Sequence, residues 1–198
     1  MNKAVFMDRD GTLIEYVPYL RSPDQVELMP GGAEALQRLK KLNFMLVVAT
    51  NQSGVARGYF GESSVEKVHD RIRELLSREG VQIDAFYFCP HGPAGEGFRE
   101  CSCRKPAPGM GLRAAADLDL DLKKSWMIGD SLCDLEFGLN MGCRSILVRT
   151  GRGKKTELGI FSGFAVGQKE KSGTMFSVAD DLRAAAGLVE QAESGFST

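Results

Sequence analysis

Short, uniformly apolar runs alternate along most of this chain with segments whose apolar residues recur at helical spacing. Ala4–Met7 is a four-residue apolar run that stops at Asp8, and such a run reads as a strand buried on both faces. Phe44–Ala49, Ala85–Phe88, Trp126–Ile128 and Ile146–Val148 read the same way. Between them lie amphipathic stretches. From Gly31 to Leu42, Ala35, Leu36, Leu39 and Leu42 share one helical face behind Pro30. Val65, Val68, Ile72, Leu75 and Leu76 form the stripe of a helix over Glu62–Arg78, with Gly80 as its stop. On that helix His69 has charged neighbours and is expected on the solvated face. Further helices are predicted over Gly109–Leu120 and over Leu132–Met141, with Gly142 behind the second. Gly153–Phe176 has weak periodicity and reads as loop with one short strand near Phe164–Val166, and Val178–Ala192 reads as a closing helix.

Strands alternating with helices indicate βαβ units with right-handed crossovers. The expected fold is α/β: a Rossmann-like, doubly wound, mostly parallel sheet forming a single domain over 1–198. Ligands of such sheets bind outside the carboxyl ends of the strands. Asp8, Thr50, Cys89 and Asp130 all fall just past predicted strand ends, so they are expected to gather at one rim.

Composition narrows the function classes. The chain has 198 residues, 43% hydrophobic and 26% charged, which is ordinary for a globular domain and excludes a disordered or fibrous chain. With 25 Lys+Arg against 26 Asp+Glu the net charge is −1, so a nucleic-acid or membrane-surface partner is not expected. No apolar run approaches the roughly 18 residues of a membrane span, and no signal-peptide core follows Met1. A cytoplasmic monomer is expected. The five cysteines, Cys89, Cys101, Cys103, Cys133 and Cys143, then suggest metal binding or catalysis rather than disulfides.

Asp8-Arg9-Asp10-Gly11-Thr12 sets two carboxylates two residues apart after an apolar strand. In extended chain both can face one pocket, and their repulsion calls for a cation or a shared proton between them. Mg²⁺ suits the position because it takes one or two carboxylates plus phosphate oxygens. A carboxylate can also attack phosphorus and split the displacement into two easier steps. By itself the segment reads equally well as a surface turn. Cys89-Pro-His91 and Cys101-Ser-Cys103 supply four N/S ligands in two tight pairs, the donor set of a tetrahedral structural zinc site. Cys133 and Cys143 stand apart and read as packing residues.

In order along the chain stand Asp8-Arg-Asp10-Gly-Thr12, Thr50-Asn51-Gln52-Ser53, Cys89-Pro-His91, Cys101-Ser-Cys103-Arg104-Lys105-Pro106, and Gly129-Asp130 with Asp134. This set resembles the haloacid dehalogenase-like phosphatases, and among them the heptose-bisphosphate and histidinol-phosphate phosphatases, over about residues 3 to 151. The resemblance implies Asp8 as nucleophile and Asp10 as general acid/base. It implies Mg²⁺ held by Asp8, the Asp10 backbone carbonyl and Asp130. It also implies Lys105 and Thr50 as stabilisers of the transferring phosphoryl group. Composition alone allows either Asp130 or Asp134 on the metal; Asp130 lies at the strand end and Asp134 one helical turn on. The same likeness implies zinc at Cys89, His91, Cys101 and Cys103.

A small phosphorylated sugar is the implied partner. Arg9, Tyr19, Asn51, Gln52, Ser53, Arg104 and Ser131 are the implied substrate contacts, with Arg104 on the phosphate that is not cleaved. The chain departs from some relatives at Ser131, where they carry lysine, and at Tyr16, where they carry an acid. Gly151-Arg-Gly-Lys-Lys155 lacks the spacing of a phosphate loop and reads as a solvated basic turn. The gaps between motifs leave no room for a large cap domain, so the cleft should be open.

Overall fold

The computed structural model describes residues 1–162 and 176–195. Six strands form one wholly parallel sheet: β1 (Lys3–Met7), β2 (Phe44–Asn51), β3 (Ala85–Cys89), β4 (Trp126–Gly129), β5 (Arg144–Val148) and β6 (Phe176–Ala179). Their spatial order is β3-β2-β1-β4-β5-β6. The helices are α1 (Gly32–Lys41), α2 (Ser53–Ala56), α3 (Glu62–Arg78), α4 (Gly109–Leu118), α5 (Leu132–Met141), α6 (Gly153–Phe161) and α7 (Leu182–Ser194).

The central strands are apolar along their buried middles because helices cover both faces of the sheet. Val5, Met7, Leu46, Val48, Ile128 and Ile146 point to one side, where they meet Leu36 and Leu39 of α1, Val68 and Ile72 of α3, and Leu182 and Val189 of α7. Ala4, Phe6, Val47, Ala49 and Met127 point to the other, against Met110 and Ala114 of α4 and Phe137 and Met141 of α5. Each fully buried large side chain contributes about 1.5–3 kcal/mol. The two layers together hold the sheet's carboxyl edge rigid. No helix among the described residues is long and apolar enough to cross a membrane.

Four expectations need correction. β2 runs to Asn51 because Thr50 and Asn51 still pair with Phe88 and Cys89 of β3, so Thr50 lies within its strand and Cys89 closes its own. Gly153–Phe161 is helix, not loop. Phe176–Ala179 is an edge strand paired with β5, so the last helix begins only at Leu182, capped by Asp181 accepting from the Ala184 N–H at 2.8 Å. His69 is not solvated: it is fully buried and stacks on Phe86 with ring centroids 4.6 Å apart. Burial, with Arg9 and Arg73 nearby, pushes its imidazole down to about 3, so it is a neutral core residue. The strand expected near Phe164–Val166 lies outside the described residues.

Candidate active site

The chain winds outward from β1 in one direction and from β4 in the other, so the crevice between these two strands is the topological switch point where open α/β sheets bind ligands. Asp8 follows β1 directly, and its N–H donates to the Ile128 carbonyl of β4 at 3.0 Å. Asp130 follows β4. Both carboxylates therefore enter the same cleft. Its volume is about 320 Å³, within the usual range for small-molecule sites.

Lys105 reaches the cleft from the loop between β3 and α4. Its side chain is 3% exposed, and Nζ donates to Asp8 Oδ1 at 2.7 Å and to Asp134 Oδ1 at 2.6 Å. Burial alone would lower this ammonium's pKa, but the Asp134 and Asp8 carboxylates outweigh it and hold the group above the ordinary lysine range. Asp134 is itself fixed, since its Oδ2 accepts from the Ser131 N–H (3.0 Å) and hydroxyl (2.6 Å) in the capping box that starts α5. The backbone of Lys105 is clamped by Asn51: its N–H donates to Asn51 Oδ1 (3.0 Å) and its carbonyl accepts from Asn51 Nδ2 (3.1 Å).

Asp8, Asp130 and Asp134 have carboxylate oxygens within 4.8 Å of one another. A single ammonium cannot neutralise three carboxylates. Burial pushes Asp8 up to about 7; Lys105 opposes the shift and the three neighbouring acids add to it. Burial likewise pushes Asp130 up to about 6, against the Arg152 N–H that donates to its Oδ2 at 2.7 Å. Such a cluster of hard oxygen donors with excess negative charge fits a divalent cation. Backbone packs closely around Asp130. Gly11 has φ +88° and a Cβ there would overlap the Asp130 carboxylate, as would one on Gly151, whose φ is +53°. Thr150 ties the two together by donating its hydroxyl to the Gly11 carbonyl at 2.6 Å.

Asp10 is aimed by a second set of donors. Arg9, 1% exposed, gives it Nε at 3.1 Å and Nη2 at 3.0 Å, and Gln52 Nε2 donates to it at 2.9 Å. Gln52 also donates to Thr50 Oγ1 at 2.8 Å. Thr50, Gln52, Arg9 and Asp10 thus form one hydrogen-bonded polar group in the cleft that also holds Asp8.

The loop behind Lys105 carries the other cluster. Cys89, His91, Cys101 and Cys103 point their S and Nδ1 atoms at one another at 3.2–3.6 Å. These separations are too long for disulfides. They approximate the edges of a tetrahedron with bonds of about 2.0–2.3 Å, so this set could hold a metal ion. Arg104, next to the last thiol, donates Nη1 to the His91 carbonyl at 2.9 Å.

All the residues expected around the substrate and the acid cluster line one cleft: Asp8, Arg9, Asp10, Tyr19, Thr50, Asn51, Gln52, Ser53, Arg104, Lys105, Asp130 and Ser131. The thiol–imidazole set lies beside it. Two residues outside the expected set also reach it. Arg152, exposed in its turn as expected, lines the cleft from the β5 side, and Cys133, expected in packing, lines its wall. The signal for Arg152 was its place just past a strand end; its basic neighbours masked that. Asn51 and Ser131 reach the cleft with their side-chain polar atoms engaged by Lys105 and Asp134.

Comparison with known proteins agrees with this geometry. The family model for haloacid dehalogenase-like hydrolase matches residues 15–142, and a related HAD-hydrolase-like model matches 102–185. The chain is 42% identical over 155 residues to the D-glycero-beta-D-manno-heptose-1,7-bisphosphate 7-phosphatase of Pasteurella multocida, covering 77% of this chain and 84% of that one. It is 36% identical over 188 residues to the Pseudomonas aeruginosa protein of the same name, covering 94% and 97%. The crystal structure of D,D-heptose 1,7-bisphosphate phosphatase from B. bronchiseptica, complexed with magnesium and phosphate, superposes with a TM-score of 0.81 at 37% identity, covering 96% of this chain and 99% of that one. The chain belongs to the haloacid dehalogenase-like hydrolases.

Proposed function

We propose that this chain is a magnesium-dependent phosphatase that removes the 7-phosphate of D-glycero-β-D-manno-heptose 1,7-bisphosphate through an aspartyl-phosphate. The observation that carries the reading is the contact of Lys105 Nζ with both Asp8 and Asp134 beside Asp130. A fixed cation and a cation-seeking acid cluster beside Asp8 support its reading as the nucleophile. The names and coverage of the relatives support the substrate.

Asp8 attacks phosphorus, and the bond from phosphorus to the sugar oxygen breaks. Asp10, held by Arg9 and Gln52, gives its proton to that leaving oxygen. It then takes a proton from water as the water attacks the aspartyl-phosphate, releasing phosphate and free Asp8. Lys105 and the Thr50 hydroxyl stabilise charge on the transferring group, which is where phosphoryl-transfer catalysis mostly lies. Asp8, Asp130 and the Asp10 carbonyl would hold Mg²⁺, with Asp134 engaged by Lys105 and Ser131 instead. When bound, Mg²⁺ offsets the repulsion between the carboxylate and the phosphate it approaches.

Cys89, His91, Cys101 and Cys103 would hold a structural Zn²⁺, a closed set with no open position for chemistry. Held there, these four side chains would fasten the loop that carries Arg104 and Lys105. Arg104 then offers its planar fork to the phosphate that stays on the sugar. Tyr19 and Ser53 line the mouth where the sugar passes.

Phosphate release from a panel of sugar phosphates and amino-alcohol phosphates with Mg²⁺ tests the reading. The heptose bisphosphate should show the highest kcat/KM, and an equal or higher value for histidinol phosphate would overturn the substrate assignment. Asp8→Asn should abolish turnover, since an amide cannot form the acyl phosphate.

A further inference from the structure

Four cationic side chains line the cleft: Arg9, Arg104, Lys105 and Arg152. Arg9 is paired with Asp10, and Lys105 with Asp8 and Asp134. Among the described residues Arg104 and Arg152 have no carboxylate within ion-pair distance. Arg152 differs in this from Arg149, three residues earlier, which is paired with Glu157 and Asp180. An arginine facing a cleft without an acid for a partner is a ready anion site.

The placement of Arg152 is built. Its N–H is fixed on Asp130, Gly151 before it packs against Gly11 where no side chain fits, and Thr156 of α6 donates to the Asp130 carbonyl at 2.9 Å. With its backbone tied down, only its side chain can move. The guanidinium lies over the Tyr16 ring, 4.8 Å from the centroid, and donates Nη2 to the Tyr16 hydroxyl. A neutral phenol holds a guanidinium in place without cancelling its charge. Along the sheet, Arg104 rises from the β3 side and Arg152 from the β5 side, with Asp8 on the strand order between them.

We propose that Arg152 is a specificity-determining residue that grips the phosphate left on the sugar, as the second arm of a clamp whose first arm is Arg104. This rests on the bisphosphate reading above. When such a substrate enters, the guanidinium stays stacked on Tyr16 and turns its donors from the phenol oxygen to the phosphate. Two arms from opposite walls would favour a substrate with two phosphates over the same sugar with one.

The test is steady-state kinetics on the full chain with both metals, using heptose 1,7-bisphosphate and the corresponding 7-monophosphate. The wild type should prefer the bisphosphate. Arg152→Gln should lower the bisphosphate-to-monophosphate ratio of kcat/KM by about 10- to 100-fold, the loss of a charge-assisted contact. The change should appear in the KM of the bisphosphate rather than in kcat. Arg152→Lys should restore part of the ratio, because an ammonium keeps the charge but not the fork. Tyr16→Phe should move the ratio by only about two- to fivefold. A ratio unmoved in Arg152→Gln, or both substrates slowed by one factor, would overturn the clamp and leave the substrate assignment standing. A wild type inert toward the bisphosphate would overturn both.

Discussion

Asn51 grips the backbone of Lys105 at both ends, accepting from its N–H at 3.0 Å and donating to its carbonyl at 3.1 Å. One side chain at the end of β2 thereby fixes the main chain from which the ammonium reaches Asp8. Asn51→Ala should lower kcat by about 10- to 100-fold as the ammonium loses its alignment, with less change in KM. It should also cost about 1–3 kcal/mol from the two lost hydrogen bonds. Kinetics and urea unfolding of the same variant check both numbers.

Asp134 and Lys105 are an ion pair that solvent scarcely reaches, at 1% and 3% exposure. Asp134→Ala would leave a buried ammonium with Asp8 alone and strip the capping box from α5. A loss of about 3–5 kcal/mol in unfolding free energy is expected. Asp134→Asn, which keeps an acceptor for Lys105, should lose clearly less. An Asp134→Ala midpoint in urea equal to that of the wild type would show that the pair does not matter to stability.

Asp8 and Asp130 are held at about 7 and 6 in the metal-free fold, against 3.8 for an ordinary aspartate. A carboxyl group raised in this way binds its proton more tightly folded than unfolded. Its contribution to stability is full below about pH 4 and is lost as pH rises through about 6 to 7. Metal-free protein should therefore lose this part of its stability progressively between about pH 4 and pH 7. Mg²⁺ needs the ionised forms, so its stabilising effect should grow over the same interval. Thermal melts with and without MgCl₂ at about pH 5.5 and pH 8 test this; a Mg²⁺ shift that is larger at the lower pH contradicts it.

The thiol–imidazole cluster leads to a separate expectation. Protein purified without chelator should contain close to one zinc per chain, and its three cluster thiols should be shielded from thiol reagents. Stripping the ion should lower the melting temperature and make all five cysteines titratable. Activity should fall through loosening of the loop carrying Arg104 and Lys105, not through loss of a reacting group. Metal analysis with thiol counting before and after chelation decides it.

Much of the fold was legible because buried parallel strands and amphipathic helices leave plain patterns. Glu62–Arg78 and Leu132–Met141 carry their ends in the sequence, the first as a helical stripe stopped by Gly80 and the second as Gly142 behind it. α6 left no such pattern: only Gly153 is buried, while Leu158 and Phe161 point outward at 71% and 74% exposure. β6 is a four-residue edge strand, too short and too open to alternate. His69 could have been found, since Val65, Val68, His69, Ile72 and Leu76 fall on one stripe; its charged neighbours pointed the other way. The acid pair, the lysine and the cysteine pairs of the site stood out as spacing. Which carboxylate would receive Lys105, and that Arg152 would face the same cleft, depend on contacts between distant loops that no local pattern encodes.

Asp8 and Asp130 follow strands that touch in the sheet yet lie far apart in the chain, with β2 and β3 built between them. A ribosome must therefore release most of this polypeptide before β4 can slide in beside β1 and the two acids can meet. Phosphate turnover would then mark the closure of that one strand pair, and a truncated product ending before β4 would be catalytically silent however well its first half had folded.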